Sequence, residues 1–120
     1  MKPTFFYVPT NDLAGTARFY ADELGFEEAW REGDDTIAFA APNSDIQIMV
    51  SSAPGGHGPM YQVASAADWI RDHPGLEIAV PLEDIPGGAT VGFTDPAGNA
   101  FYVFDQADVF DQAGVFDQAD

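Results

Sequence analysis

Thr36-Ile37-Ala38-Phe39-Ala40-Ala41-Pro42 and Thr90-Val91-Gly92-Phe93-Thr94-Asp95-Pro96 are one short strand written twice, at a spacing that also sets Tyr7 against Tyr61. A repeat of this kind decides the fold, because each copy must build the same supersecondary unit. Upstream of the first copy, residues 4–8 form a β-rich aromatic run. Asn11-Asp12 then supplies a helix cap before Leu13, Ala17, Tyr20 and Leu24 at helical spacing, and Gly25 ends that helix. Strands are expected at 27–32, at 36–41 after the Gly33-Asp34-Asp35 turn, and at 46–50 after Pro42-Asn43-Ser44-Asp45. The order is βαβββ. Around the second copy it recurs: a strand at 60–63, a helix starting near Ser65 and stopping before Pro74, and strands at 77–80, 90–94 and 100–104. The Gly/Pro stretch from Ala53 to Pro59 has the composition of a linker.

A second repeat closes the chain, where Phe-Asp-Gln-Ala recurs from Phe104, Phe110 and Phe116 with a period of six. Six residues advance a helix by about 600°, so the Val-Phe doublets do not stack on one helical face. The first copy completes a strand and the others read as an acidic extension over 106–120. Calcium is not implied, because the glycine and ligand spacing of a calcium-binding loop is absent. The domain is therefore placed at 1–105, with modules at about 1–52 and 59–105. The extension is expected to be dispensable for folding, with Phe110 and Phe116 as its large apolar anchors.

Charge narrows the function classes. The chain carries 20 acidic and 4 basic side chains, for a formal net charge of -16. Lys2, Arg18, Arg31 and Arg71 cannot neutralise a run of phosphates, so neither nucleic acid nor an anionic membrane is an expected partner. Small cationic or aromatic ligands fit better. The absence of cysteine removes disulfides, thiolate nucleophiles and cysteine metal sites together. No apolar run approaches a membrane span, and the amino terminus lacks a secretory signal, so a cytoplasmic location is expected.

The duplicated βαβββ unit resembles the vicinal oxygen chelate superfamily, the glyoxalase, bleomycin-resistance and extradiol dioxygenase group. Asp12-Leu13, Phe19-Tyr20 and Leu24-Gly25-Phe26 are similar to the family's first helix, and Asp95-Pro96-Ala97-Gly98-Asn99 to its last hairpin. The resemblance spans residues 4–105. It implies an α+β fold of tandem βαβββ modules forming a curled mixed sheet around a cleft, usually in a homodimer. Lyases, epimerases, dioxygenases and antibiotic binders share that fold, so it does not by itself imply a reaction.

The family's enzymes hold a divalent metal with a His on the first strand and a Glu on the last strand of each half. Here the first His position falls on Phe5, or on Pro3 if the loop is longer, and the last Glu position on Tyr102. The strand at 46–50 has no carboxylate, leaving Gln47 as a weak oxygen donor, and His57 is one residue from the position expected for the second His, Gly58. A one-residue slip turns a strand side chain to the opposite face. No metal, no other cofactor and no catalytic residue is therefore assigned. Phe5, Tyr7, Gln47, Met49, Tyr61 and Tyr102 are the expected ligand-binding set, with Ile46, Ile48 and Val50 on the helix-covered face. Aromatic rings beside acidic charge suit a flat cation. His73, Glu27-Glu28, Asp34-Asp35 and the Asp95/Asn99 pair are read as surface and turn residues.

Two functions stay open. One is a metal-free binding protein of the bleomycin-resistance type that sequesters a cationic or aromatic compound, as in antibiotic resistance. The other is a glyoxalase- or epimerase-like lyase or isomerase with a metal site reshuffled around His57 and Gln47, or with Tyr7, Tyr61 or Tyr102 as acid or base.

Overall fold

The computed structural model describes residues 1–106. The elements run β1 (Lys2–Pro9), α1 (Leu13–Arg18), β2 (Glu27–Glu32), β3 (Thr36–Ala40), β4 (Gln47–Ser51), β5 (Gly58–Gln62), α2 (Ala66–Asp72), β6 (Ile78–Ile85), β7 (Gly88–Thr94) and β8 (Ala100–Gln106). This is an α+β chain with the βαβββ order given twice. The described residues divide into two compact units, Pro3–Met60 and Met1–Lys2 together with residues 61–106.

In the first unit the strand order is β2-β3-β4-β1. β2, β3 and β4 pair antiparallel, whereas β1 lies parallel to β4 with Phe5 opposite Gln47 and Tyr7 opposite Met49. A parallel pair needs a crossover, which α1 supplies. The Asp12 carboxylate accepts from Gly15 N at 3.1 Å and so caps the helix start. The continuous helix expected up to Leu24 is α-helical only to Arg18. It then widens into a π-helical turn over Phe19–Glu23, closed by Leu24 N donating to Phe19 O at 3.1 Å. Tyr20, on that turn, stacks on Phe39 at 5.8 Å, and Gly25 leaves the turn at φ 73. Ile37, Phe39 and Val50 form the buried core, packed by Val8, Leu13, Ala17, Tyr20, Phe26 and Ile48.

In the second unit β8, β7 and β6 pair antiparallel in that order, and the end of β5 from Tyr61 lies in the same unit. Ser65 caps α2 by accepting from Asp68 N at 3.1 Å. Asp105 ties the same corner together, with one carboxylate oxygen accepting from Ala66 N at 2.7 Å and the other from Ala89 N at 3.2 Å. Ala66, Val91, Phe93 and Val103 are the core, covered by Val63, Trp69, Ile70 and Phe101.

Several strand boundaries differ from the sequence expectation, those of β5, β6 and β8 among them. β5 begins at Gly58, inside the supposed linker, and Gly58 is buried. β6 continues through Pro81 to Ile85, five residues past the expected end at Val80. An edge strand tolerates proline because one row of its backbone groups has no ladder partner, and the β6–β7 register shifts between Val80 and Glu83, where Pro81 sits. β8 reaches Gln106, whose Nε2 donates to Pro86 O at 3.0 Å. The second and third Phe-Asp-Gln-Ala copies, with Phe110 and Phe116, lie outside the described residues. Among the described residues no helix is long and apolar enough to cross a membrane.

Candidate functional site

The face of the first unit turned away from α1 is set by strand alternation. Opposed residues run Trp30–Ala38–Met49–Tyr7 in one row across β2, β3, β4 and β1, with Ala40–Gln47–Phe5 in the next and Glu32–Thr36–Ser51–Pro9 in the one on the other side. Ile37, Phe39 and Val50 occupy the alternate positions and face the helix. Four of the expected ligand residues, Phe5, Tyr7, Gln47 and Met49, thus share one face.

Trp30 organises this face, and the sequence reading missed it. Its indole N–H donates to Gln47 Oε1 at 2.8 Å, so the side chain crosses β3 diagonally above Ala38 and Ala40. The Phe5 ring meets the indole edge to face, with centroids 5.9 Å apart and planes at 88°. Small residues on β3 make this reach possible, and Ala38 is wholly buried beneath. A lone tryptophan among the charges of Glu27-Glu28-Ala29-Trp30-Arg31-Glu32 is the signal that could have found it. Arg31 does not face this surface. It lies opposite Ile37 on the helix side and pairs with Glu28 at 2.7 Å, while Glu32 shares the Trp30 side. Hydrogen bonding to Arg31 lowers the Glu28 pKa, and the same bond raises that of Arg31.

Tyr7 is anchored rather than poised. Its hydroxyl lies 3.0 Å from Ala53 O and 3.1 Å from Pro54 O and donates toward these carbonyls, strapping the segment after β4. Tyr61 and Tyr102 belong to the second unit. Tyr61 is half-buried on β5. Tyr102 is buried and lies over Gly92, where an added Cβ would stand 2.9 Å from the tyrosine Cε1 and 3.0 Å from Val80 Cβ. That glycine is required by the close approach of the ring. A depression of about 490 Å³ lined by Met1, Lys2, Gln62, Val63 and Ala64 also belongs to the second unit and includes none of the expected ligand residues.

The histidines have local roles. His57 is exposed and stacks on Phe6, with centroids 5.5 Å apart. Phe6 alternates with Phe5 and Tyr7, so His57 sits across the sheet from Gln47. His73, expected to be simply solvated, stacks on Trp69 at 3.9 Å with Nδ1 2.8 Å from Trp69 O. Asp95 holds the last hairpin: its carboxylate accepts from Ala97 N, Asn99 N and Asn99 Nδ2 at 2.9–3.0 Å. Those bonds, from the Asn99 side chain first and then its backbone, keep Asp95 below the usual carboxylate pKa.

The family's metal does not fit this donor set. Where the resemblance places ligands stand the Phe5 ring, the Gln47 amide whose oxygen already accepts from Trp30, Gly58 on β5, and the Tyr102 phenol. Divalent ions need several convergent carboxylate or imidazole donors. His57 and Gln47, the reshuffled pair, lie on opposite faces.

The family model described as the Glyoxalase/Bleomycin resistance protein/Dioxygenase superfamily matches residues 3–103. Solved structures are similar in fold at low identity. One is a member of that superfamily from Vibrio splendidus 12B01, 17% identical with a TM-score of 0.62 over 84% of this chain and 95% of that one. The methylmalonyl-CoA epimerase of Mycobacterium tuberculosis is 16% identical, with a TM-score of 0.63 over 87% of each chain. The Mn(II)-bound glyoxalase of Novosphingobium aromaticivorans is 18% identical, with a TM-score of 0.60 over 88% of this chain and 38% of that one. No curated protein sequence matches. With the family model covering nearly all of the described residues, the chain belongs to the glyoxalase/bleomycin resistance protein/dioxygenase superfamily.

Proposed function

We propose that this protein is a metal-free binding protein that sequesters a planar, cationic or aromatic small molecule, and that it works as a homodimer. The observation that carries the reading is the Trp30–Phe5 edge-to-face pair spread across β3, held by the Gln47 amide, on a face that also carries Glu32. With Phe5 buried beneath it, the half-buried Trp30 ring offers a flat ligand stacking area at little entropic cost, since it is already fixed by Phe5 and Gln47. A net charge of -16 favours a cation beside those rings. The residues at the family's ligand positions support binding over metal-assisted chemistry, because a phenyl ring and an engaged amide activate no water.

Calorimetric titration with a planar cation, its neutral analogue and its anionic analogue tests the proposal. The cation is expected to bind tightest, with affinity falling as salt rises. Trp30→Ala should weaken binding by roughly 1 kcal/mol or more, the range of ring and cation contacts. Equal affinity across the three charges would sink it, as would near-stoichiometric metal in the purified protein. Light scattering at micromolar concentration should give the mass of two chains.

A further inference from the structure

Gln47 has two ends, and the fold uses only one of them. The amide oxygen accepts from the Trp30 indole at 2.8 Å. Indole N–H is a donor and never an acceptor, so the hydrogen bond fixes which way round the amide stands. Nε2 therefore points away from Trp30 with both of its hydrogens, and it has no hydrogen-bonding partner among the described residues. Gln47 is half-buried, opposite Phe5 in the parallel ladder and opposite Ala40 on its other side. A methyl group there cannot compete for the amide hydrogens, nor can a phenyl ring act as a strong acceptor.

We propose that Gln47 is a specificity-determining donor: the ligand stacked on Trp30 carries a carbonyl or equivalent acceptor oxygen on its ring edge, received by Gln47 Nε2. The inference rests on the binding function proposed above and narrows its ligand to planar compounds bearing both a positive charge and a carbonyl. Trp30 is the positioning residue. By occupying the oxygen, it prevents the amide from turning over to welcome a donor instead. A ligand with an N–H or O–H at that edge would meet the wrong end of a locked amide and leave it unpaired.

The probes are 1-methylquinolinium and 3-acetyl-1-methylquinolinium, planar cations of equal charge that differ by one acetyl group, titrated calorimetrically into the full-length protein, with 3-isopropenyl-1-methylquinolinium as the carbonyl-free match in size. The acetyl compound should bind roughly three- to tenfold tighter than its isopropenyl match, the worth of one net hydrogen bond. Gln47→Leu should bring that ratio to about one, Gln47→Glu should invert it by presenting oxygen to oxygen, and Trp30→Phe should lower it by releasing the amide to rotate. A merely structural Gln47 would shift both affinities together and leave the ratio alone. If the acetyl and isopropenyl cations bind the wild-type protein equally, or if Gln47→Leu preserves the ratio, the donor assignment is wrong while the binding function stands. If none of the cations binds, the binding function falls and takes this assignment with it. Amide proton exchange in the ligand-free protein gives a second reading: the Trp30 indole proton should exchange slowly and the Gln47 Nε2 protons fast, and the reverse order overturns the orientation.

Discussion

On β3, Thr36 shares a hydrogen bond with Ser51 Oγ at 3.1 Å, whereas on β7 its repeat counterpart Thr90 stands opposite Phe104 and its buried hydroxyl has no partner among the described residues. Two positions further along each strand, Ala38 lies under the Trp30 indole reaching in from β2, and Gly92 lies under the Tyr102 ring of β8. Val80 stands opposite Gly92 where Trp30 stands opposite Ala38. The helix-covered faces barely differ, with Ile37 and Phe39 matching Val91 and Phe93 in the two cores. Duplication has thus kept what the backbone and helix packing demand and altered the other face. In the first half the floor ring has a polar handle and leaves amide hydrogens available. In the second half Tyr102 itself covers the middle strand.

The likeness of the two cores is the part most open to a decisive test. Phe39→Ala and Phe93→Ala should each cost about 3–5 kcal/mol, the usual penalty for emptying a buried phenylalanine site. Urea unfolding at low temperature measures both. A difference well beyond 1 kcal/mol between them would mean that Tyr20 and Phe26 around Phe39 do not support their ring as Trp69 and Phe101 support Phe93, and that the equivalence is of sequence rather than of packing.

The same contrast explains what the sequence disclosed. The duplicated strand, the cap at Asp12, the start of α2 near Ser65 and the bounds of β2 were legible, because capping chemistry and alternation act over a few residues. β6 was cut short at Pro81, since a proline reads as a strand end unless the strand is known to lie at an edge. Parity paired Phe5 with Tyr7 and Gln47 with Met49, while the family resemblance and the β-branched Ile46, Ile48 and Val50 chose the side, and the parallel β1–β4 register sets Phe5 opposite Gln47 and Tyr7 opposite Met49. Trp30 could not be placed in this way. Its role depends on a side chain reaching past one strand to the next over two alanines, and neighbour parity carries no information about so long a reach. The locked orientation of Gln47 likewise depends on a partner 17 positions away.

A smaller effect separates the two threonines. Thr36 donates to Asp35 Oδ1 at 3.0 Å and its oxygen is also within 3.1 Å of Ser51 Oγ, a group that is 2% exposed at residue level and itself accepts from Ala53 N. Thr36→Val removes this partner from buried Ser51 and should destabilise by about 1–2 kcal/mol. Thr90→Val keeps the shape and discards a hydroxyl that has been desolvated without return, so it should be neutral or slightly stabilising. Thermal melts of the two variants side by side check the pair. Equal losses would show that Thr90 does have a partner and that the halves are alike here too.

The smallest effect lies in the hairpins that follow the two repeat strands. Ala41-Pro42 and Asp95-Pro96 are equivalent, but only the second begins with a carboxylate that gathers the backbone and side chain of Asn99 and the backbone of Ala97. Because those bonds favour the charged form, the pKa of Asp95 is lowered in the folded chain. A group with a lowered folded pKa binds fewer protons folded than unfolded, so its contribution is fully present above the unfolded value and is lost as pH falls through the folded one. Asp95→Asn should therefore reduce stability near neutral pH and make no difference in acid below the folded pKa, with the change confined to the acidic range between. The group is fully exposed, which keeps the effect slight and makes carboxyl-detected NMR the better measurement: Asp95 should titrate below an ordinary aspartate, and the Asn99 amide signals should follow it. An Asp95 that titrates normally would leave the two hairpins equivalent, with the carboxylate serving only as the residue type that the turn accepts.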